Sequence, residues 1–401
     1  MLPKSPGDAD HERAIDSEPF LTANAKAKGR YGRFNLAVVG GTGVGKSSLV
    51  NAIFGRDLAK VGKGLPVTEG VHYYSDEALG VWDFEGFEIG SSKSPAGSLR
   101  DHLKIVASKP TKEQISVVWF CVNSTADRLT HADIEIIREL DTAGLPVILV
   151  LTKVDWRKTV TGKFKAPEGV QEFQAWLEAP TDADGREVDL PVKSVVLTSV
   201  VGKHGKGAGH GLGDLLVETL ALSPDDTKDA FRVAQRLNLP WKRQLARPVI
   251  AASASAAAAA AAVPIPITDA LTLAPIQLTM MGRIAAIYDL DFKTMMSVST
   301  VAQLSAQLAG RALARSFIKL LPGAGSVVSA SVAAALTAAA GEGWMRLCEG
   351  IHTGKVDISR IDEAWQDYSP TLVKVIRNLV DQRASKVEPV VDSDAGSSMR
   401  S

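Results

Sequence analysis

The sequence predicts an α/β domain, a mostly parallel sheet with helices on both faces, followed by a mainly α-helical domain. Three observations predict it. Between residues 34 and 222, continuous apolar runs of strand length alternate with segments of helical spacing, the pattern of strands buried on both faces and joined by helices. The first run enters a glycine cluster that ends in a lysine and two serines, FNLAVVGGTGVGKSS at Phe34–Ser48. From Ser223 to about Gly350 no strand-like run occurs and alanine dominates.

The elements follow in order. Phe34–Val39 reads as a strand, and Lys46–Phe54 as a helix with Leu49, Val50, Ile53 and Phe54 on one spacing. Leu79–Asp83 is strand-like. Ser116–Val122 (SVVWFCV) and Pro146–Leu151 (PVILVL) are β-branched and aromatic runs of strand length. Between them Asp133–Ala143 carries Ile134, Ile136, Ile137 and Leu140 at helical spacing, and Lys193–Val200 (KSVVLTSV) is the last strand. SPDD at Ser223–Asp226 reads as a helix start, with Ser223 as the cap and Pro224 in the first turn. The expected organisation is a disordered polar tail over 1–33, an α/β domain over 34–222, an alanine-rich helical domain over 223–385 and a flexible tail over 386–401.

A length of 401 residues suits two domains, and 45% hydrophobic with 22% charged residues is ordinary for globular proteins. Lysine plus arginine equals aspartate plus glutamate at 45 each, so no global basic field argues for nucleic acid. Cys121 and Cys348 lie in apolar surroundings without a CxxC partner. They read as buried free thiols, which fits a reducing compartment and argues against structural zinc. The first thirty residues carry Asp8, Asp10, His11, Glu12, Arg13 and Asp16 and no apolar core; this is not a secretory signal. The expected location is cytoplasmic.

The glycine cluster has the Walker A spacing: Gly40, four residues, then Gly45, Lys46 and Ser47. In a strand–loop–helix setting each residue type has a task. Gly40, Gly41, Gly43 and Gly45 let backbone N–H groups of the loop, with Thr42 and Val44, close around phosphate oxygens. The helix that opens near Lys46 directs its positive end, with Ser48 in its first turn, to the same point. Lys46 reaches the β and γ phosphates, and the Ser47 hydroxyl binds Mg²⁺. In LGVWDFEGF (Leu79–Phe87) the strand ends at Asp83, placed to hold Mg²⁺, and Gly86 follows three residues on with an N–H for the γ phosphate. Thr152-Lys153-Val154-Asp155 follows PVILVL directly. The Asp155 carboxylate accepts from the N1–H and 2-amino donors of guanine, which adenine lacks, and the Lys153 stem lies over the base. The expected ligands are GTP/GDP and Mg²⁺.

GGTGVGKSS, WDFEG and TKVD, in this order and spacing, resemble the Era-like branch of the translation-factor-related P-loop GTPases over roughly residues 34–222. That resemblance implies two further roles. Thr68 in LPVTEG stands where the family keeps its switch threonine, a Mg²⁺ ligand that also contacts the γ phosphate. Ser199 and Val200 stand where a backbone N–H reaches guanine O6, with Ser-Val in place of the usual Ser-Ala. Lys46, Thr68 and Gly86 are then the groups expected at the reacting phosphate. Phe87 occupies the position where some GTPases carry a water-orienting glutamine, and Glu85 replaces a usual proline. A phenylalanine cannot hold water, so slow intrinsic hydrolysis is expected, at roughly 10⁻⁴–10⁻² per second, with help from a partner or from a homodimer through the G domain.

In the second half, Pro248–Thr268 and Leu320–Gly341 contain no charged residue and reach spanning length, but they are rich in Ala, Ser, Gly and Pro. The residues alone leave buried soluble helices and membrane embedding both open. SAQLAGRALARSFIKLL (Ser305–Leu321) places Arg311, Arg315 and Lys319 on one helix face, suited to an anionic membrane surface or simply to water. Val263–Phe292 and Leu321–Ala339 resemble the YcjF-type domain of unknown function, over about Arg247–Gly350. The resemblance implies a bacterial, membrane-associated protein, with 248–341 meeting an anionic surface on the inner face of the cell membrane. Asp289 and Asp291 read as capping or salt-bridging groups. His204 and His210, in GKHGKGAGHGLG, read as part of a mobile loop near the base.

The expected function is a GTP-hydrolysing switch whose helical domain contacts a membrane or a partner. An assembly protein timed by hydrolysis, or an Era-like RNA-related GTPase, are the alternatives. The last lacks a GXXG loop or a basic–aromatic surface in the C-terminal half.

Overall fold

The computed structural model describes residues 18–55, 65–68, 71–84, 94–201, 208–262, 269–290 and 326–357, with backbone alone at 65–68, 208, 269–272 and 326–329. Gly86 with Glu85 and Phe87, the Thr68 side chain, His204, Asp291, the basic segment 305–321 and the C-terminal tail 386–401 lie outside that description.

Strands β1 (Phe34–Val39), β2 (Leu65–Thr68), β3 (Val71–Ser75), β4 (Leu79–Phe84), β5 (Val117–Asn123), β6 (Val147–Thr152) and β9 (Ser194–Leu197) form one sheet. Its order is β2-β3-β4-β1-β5-β6-β9. β1 runs parallel to both β4 and β5, and β5, β6 and β9 are parallel in turn, whereas β3 is antiparallel to β2 and β4. The mostly parallel sheet read from the apolar runs is therefore present. Two short hairpins stand outside it: β7 (Arg157–Lys158) with β8 (Phe164–Lys165), and β10 (Ser199–Val201) with β11 (Ala208–His210). The predicted strand Lys193–Val200 is thus two strands, split at Thr198. There the chain turns aside, with the Thr198 N–H donating to Leu151 O at 2.7 Å and Thr198 O accepting from Val154 N at 3.1 Å.

Every residue of β1 and β6 is buried, because helices cover both faces. On one face Trp82, Phe84, Val118 and Phe120 meet Leu99 of α3 (Pro95–Ala107), Ile137 and Leu140 of α4 (His131–Thr142) and Phe173 of α5 (Glu168–Glu178). On the other, Trp119 stacks on Phe54 of α2 (Lys46–Phe54) with centroids 5.9 Å apart and donates its indole N–H to Thr219 of α6 (Leu212–Leu222). Here α7 (Lys228–Ala234) completes the layer, its Phe231 ring 4.7 Å from Phe34. Ser223 does not begin this helix. Its hydroxyl donates to Thr219 O and ends α6, and the chain turns once more before Lys228. The apolar run LLVETLAL had already committed the preceding turns to helix.

The remaining described elements are helical: α8 (Leu239–Ala261), α9 (Asp269–Ile287) and α10 (Ser326–His352). The chain divides into two compact units, one of residues 25–244 with 286–289, the other of residues up to 24, 245–285 and from 290 on. Within the second, Gly341 of α10 is where a Cβ would meet Ile250 and Met280 at 2.9 Å, so α8, α9 and α10 approach closely through small residues. Trp344 donates its indole N–H to Met281 O at 2.9 Å. Among the described residues no helix is long and apolar enough to cross a membrane.

One expectation needs correction. Residues 18–31, placed in a disordered tail, form helix α1 (Glu18–Tyr31). Phe20 is fully buried, edge-on to Trp344 at 6.2 Å. Gly282 has no side chain to hold off the Phe20 carbonyl, and Asn24 donates to Gly282 O at 3.1 Å. The partners lie some 260–320 positions away in sequence, so no local pattern announced them.

Within the first unit Lys242 is fully buried. Its ammonium donates to Val233 O and to Ile287 O and sits 5.8 Å from the Tyr288 ring centroid. Replacing it by methionine keeps the bulk and strands both carbonyls. Lys242→Met is expected to lower stability by about 3 kcal/mol, read as a shift in the urea midpoint without a change in slope.

Candidate functional site

The site is assembled at the C-terminal ends of β1, β4, β5 and β6. The loop after β1 turns through glycines that other residues could not replace. Gly40, Gly43 and Gly45 have φ of 139°, 75° and 109°, and a Cβ on Gly40 would lie 2.2 Å from the Cys121 carbonyl oxygen. Gly40 is therefore fixed by the neighbouring strand as much as by its torsion. Gly40→Ala is expected to cost about 3 kcal/mol or more of stability and to abolish nucleotide binding, measured by melting and calorimetry on one preparation.

Lys46, at the start of α2, is buried, and its ammonium donates to Gly40 O at 2.9 Å and Gly41 O at 3.4 Å. The side chain is held over the loop it would serve. Gly41, Thr42, Gly43, Ser47 and Ser48 are exposed and Val44 is half-buried. Gly45 precedes the helix without a side-chain cap, so the first N–H groups of α2 face outward with the positive end of the helix. Behind the loop, Cys121 is fully buried and its thiol is pushed up to about 12 by burial, with Lys46 lowering it and Asp83 raising it. It is inert at neutral pH.

The loop after β6 locks onto the first. The Thr152 hydroxyl lies 2.6 Å from Val44 O and 3.1 Å from Val122 O. Lys153 adopts a left-handed φ of 59°, which sends its chain back across the glycine loop; its ammonium donates to Gly43 O at 2.5 Å. Its Cε would lie 3.6 Å from a Cβ on Gly45. Asp155 is exposed, with Arg157 Nε at 3.8 Å, a surface pair of little energetic weight. Ser199 is buried and Val200 half-buried on β10, tied to this loop through Thr198 and Val154. A cleft of about 670 Å³ brings Gly45, Ser48, Thr152, Lys153, Asp155, Ser199 and Val200 together.

The predicted oxygen donors for a divalent cation fit a hard ion that keeps most ligands from water and phosphate. Residue Ser47 is exposed in the first turn of α2, and Asp83 is half-buried on β4, paired with Val38 two residues before the glycine loop. Thr68 is in β2, at the antiparallel edge of the sheet, where the backbone alone is described.

Sequence reading missed Trp156 and Phe164 as residues of the cleft, and it placed His210 near the base but in a mobile loop. Trp156, Phe164 and His210 line the end that holds Asp155 and Ser199. His210 was expected in a mobile loop; instead it is on β11, paired with Ser199. The only local sign was the pair of glycines around it.

Comparison with known proteins agrees with this geometry. Residues 35–153 match the family described as 50S ribosome-binding GTPase, and residues 226–385 match a domain of unknown function, DUF697. GTPase Der of Bifidobacterium longum is 35% identical over 120 residues, 30% of this chain and 25% of that protein. The probable GTP-binding protein EngB of Aquifex aeolicus is 30% identical over 123 residues, 30% of this chain and 66% of that protein. The chain spans a quarter to a half of the GTPase Der proteins it matches. Among solved structures, a probable GTP-binding protein engB is 17% identical with a TM-score of 0.30, over 47% of this chain and 97% of that one. Era of Aquifex aeolicus is 18% identical with a TM-score of 0.29, over 60% and 70%. Residues 35–153 thus match a P-loop GTPase G domain, similar to parts of the GTPase Der and EngB proteins, and residues 226–385 match a C-terminal DUF697 domain.

Proposed function

We propose that the chain binds GTP through this cleft, hydrolyses it to GDP and passes the nucleotide state to its helical domain. One observation carries the reading: Gly45 at the end of the glycine loop, Ser48, the Thr152–Asp155 loop and Ser199–Val200 line a single cleft of about 670 Å³, and Thr152 and Lys153 tie that cleft to the loop that Lys46 covers. In it Lys46 would neutralise the β and γ phosphates, Asp155 would select guanine, and Ser199 and Val200 would offer backbone N–H groups to the base. Mg²⁺, when bound, neutralises phosphate charge; Ser47, Asp83 and Thr68 are the residues that would hold it. Thr68 and Gly86 would report the γ phosphate to the flanking segments. With Phe87 in place of a water-holding side chain, turnover by the isolated chain is slow and rises with a partner or a second copy.

The helical domain is proposed as the effector, meeting an anionic membrane at the cytoplasmic face. The uncharged stretches 248–268 and 320–341 and the basic stretch 305–321 motivate this. The test has two parts. Calorimetry with Mg²⁺ should show GDP binding and no ADP binding; equal affinity for both sinks the guanine reading. Flotation with anionic liposomes should depend on whether GDP or a non-hydrolysable GTP analogue is present. No flotation in either state removes the membrane effector and leaves the G domain reading standing.

A further inference from the structure

We propose that His210 is a base-contacting residue, the leading edge of an aromatic wall that holds the purine against the Lys153 stem; this rests on the guanine reading of the cleft. His210 lines the same cleft as Lys153, Asp155 and Ser199. It is directly opposite Ser199 in the β10–β11 pair, so its ring is fixed relative to the backbone that would meet the base edge.

The residue is held by construction on both sides. A Cβ on Gly209 would lie 2.2 Å from Ser199 O, and one on Gly211 would lie 1.8 Å from Leu197 O. Both glycines are there because backbone presses on backbone, and the imidazole between them lines the cleft. Behind it the ring packs on Phe164, centroids 4.3 Å apart, and on Trp156 at 5.5 Å. Phe164 comes from the β7–β8 hairpin, so two hairpins are joined through His210. Phe164 is half exposed, and the indole N–H of Trp156 is buried without a partner among the described residues. An apolar ring left wet at the cleft is covered by a flat ligand. A purine has that shape; a phosphate or a sugar alone does not.

The experiment is GDP titration by calorimetry of the full chain, wild type against His210→Ala and His210→Phe, with melting temperatures taken alongside. Base–aromatic contact predicts that His210→Ala weakens GDP about tenfold while His210→Phe stays within about twofold. A role confined to holding β11 predicts equal loss in both, and equal loss overturns the proposal. So does unchanged binding by His210→Ala. A second readout needs no variant at position 210. In the wild-type chain, emission that is lost in Trp156→Phe should change on adding GDP with Mg²⁺ and stay constant on adding inorganic pyrophosphate with Mg²⁺. Constant emission with bound GDP overturns the wall as a base contact. Failure of the wild-type chain to bind GDP at all is a different result, and it removes the guanine reading itself.

Discussion

Asp155→Asn is expected to lose GDP by about three orders of magnitude and to gain xanthosine diphosphate, because two charge-assisted hydrogen bonds are replaced by one acceptor and one misdirected donor. A carboxylate accepts twice, which suits N1–H and the 2-amino group of guanine. An amide accepts once and donates, which suits N1–H and the 2-oxo group of xanthine. The fold should not respond. Asp155 is exposed and its near partner is Arg157 at 3.8 Å, so the change in stability should stay within about 0.5 kcal/mol. Calorimetry with GDP and xanthosine diphosphate on a variant of unchanged melting temperature separates the outcomes. A variant that keeps GDP at wild-type affinity shows that the carboxylate does not read the base.

The left-handed Lys153 explains why this prediction depends on so few residues. A non-glycine at φ 59° is tolerated where surroundings over-determine it. Here the Lys153 ammonium is bound to Gly43 O and the Thr152 hydroxyl faces Val44 O. The same contacts hold the glycine loop and the Thr152–Asp155 loop as one body. A ligand that closes on one end finds the other already placed.

Legibility in the sequence followed the range of the interactions. Phe34–Val39 and Lys46–Phe54 were read to the residue, since a two-sided apolar strand, a glycine cluster and an apolar helix face are local signals. The places of the two loops, after Phe34–Val39 and after Val147–Thr152, are legible for the same reason: each is a run of consecutive residues behind an apolar strand. What was not read depends on distant partners. The edge strand β2 and its neighbour β3 are short, and the interior of β3, His72 to Tyr74, is only half-buried, so neither period dominates. Helix α1 has two buried residues, Phe20 and Ala23, and its helical face is defined by Gly282 and Trp344 rather than by its own pattern. His210 lies between glycines that in the chain look like a flexible loop; only the positions of Leu197 O and Ser199 O show that they are required.

The same logic moves the end of the G domain, and it yields the second large effect. Composition changes at Ser223, and that is where the sequence suggested a new domain. The compact unit continues to residue 244. Phe231 has no exposed surface and touches Phe34 at 4.7 Å, Phe54 at 6.3 Å and Trp241 at 6.4 Å. Ala230, Val233 and Ala234 are buried with it. The backbone N–H of Arg236 donates to Ile53 O at 2.9 Å, and the Arg236 side chain lies where a Cβ on Gly55 would sit. These residues cap the far end of α2, the helix that begins at Lys46. Phe231→Ala in the full chain is therefore expected to lower stability by about 4 kcal/mol, a large share of the roughly 5–15 kcal/mol a domain has. A chain ended after Leu222 loses α7 and all that Phe231 covers and is expected to fail both cooperative unfolding and GDP binding. Urea denaturation with calorimetry on both variants tests this. If the shortened chain unfolds cooperatively at the wild-type midpoint and binds GDP normally, then residues 223–244 only rest on the G domain, and the change of composition marks its true end.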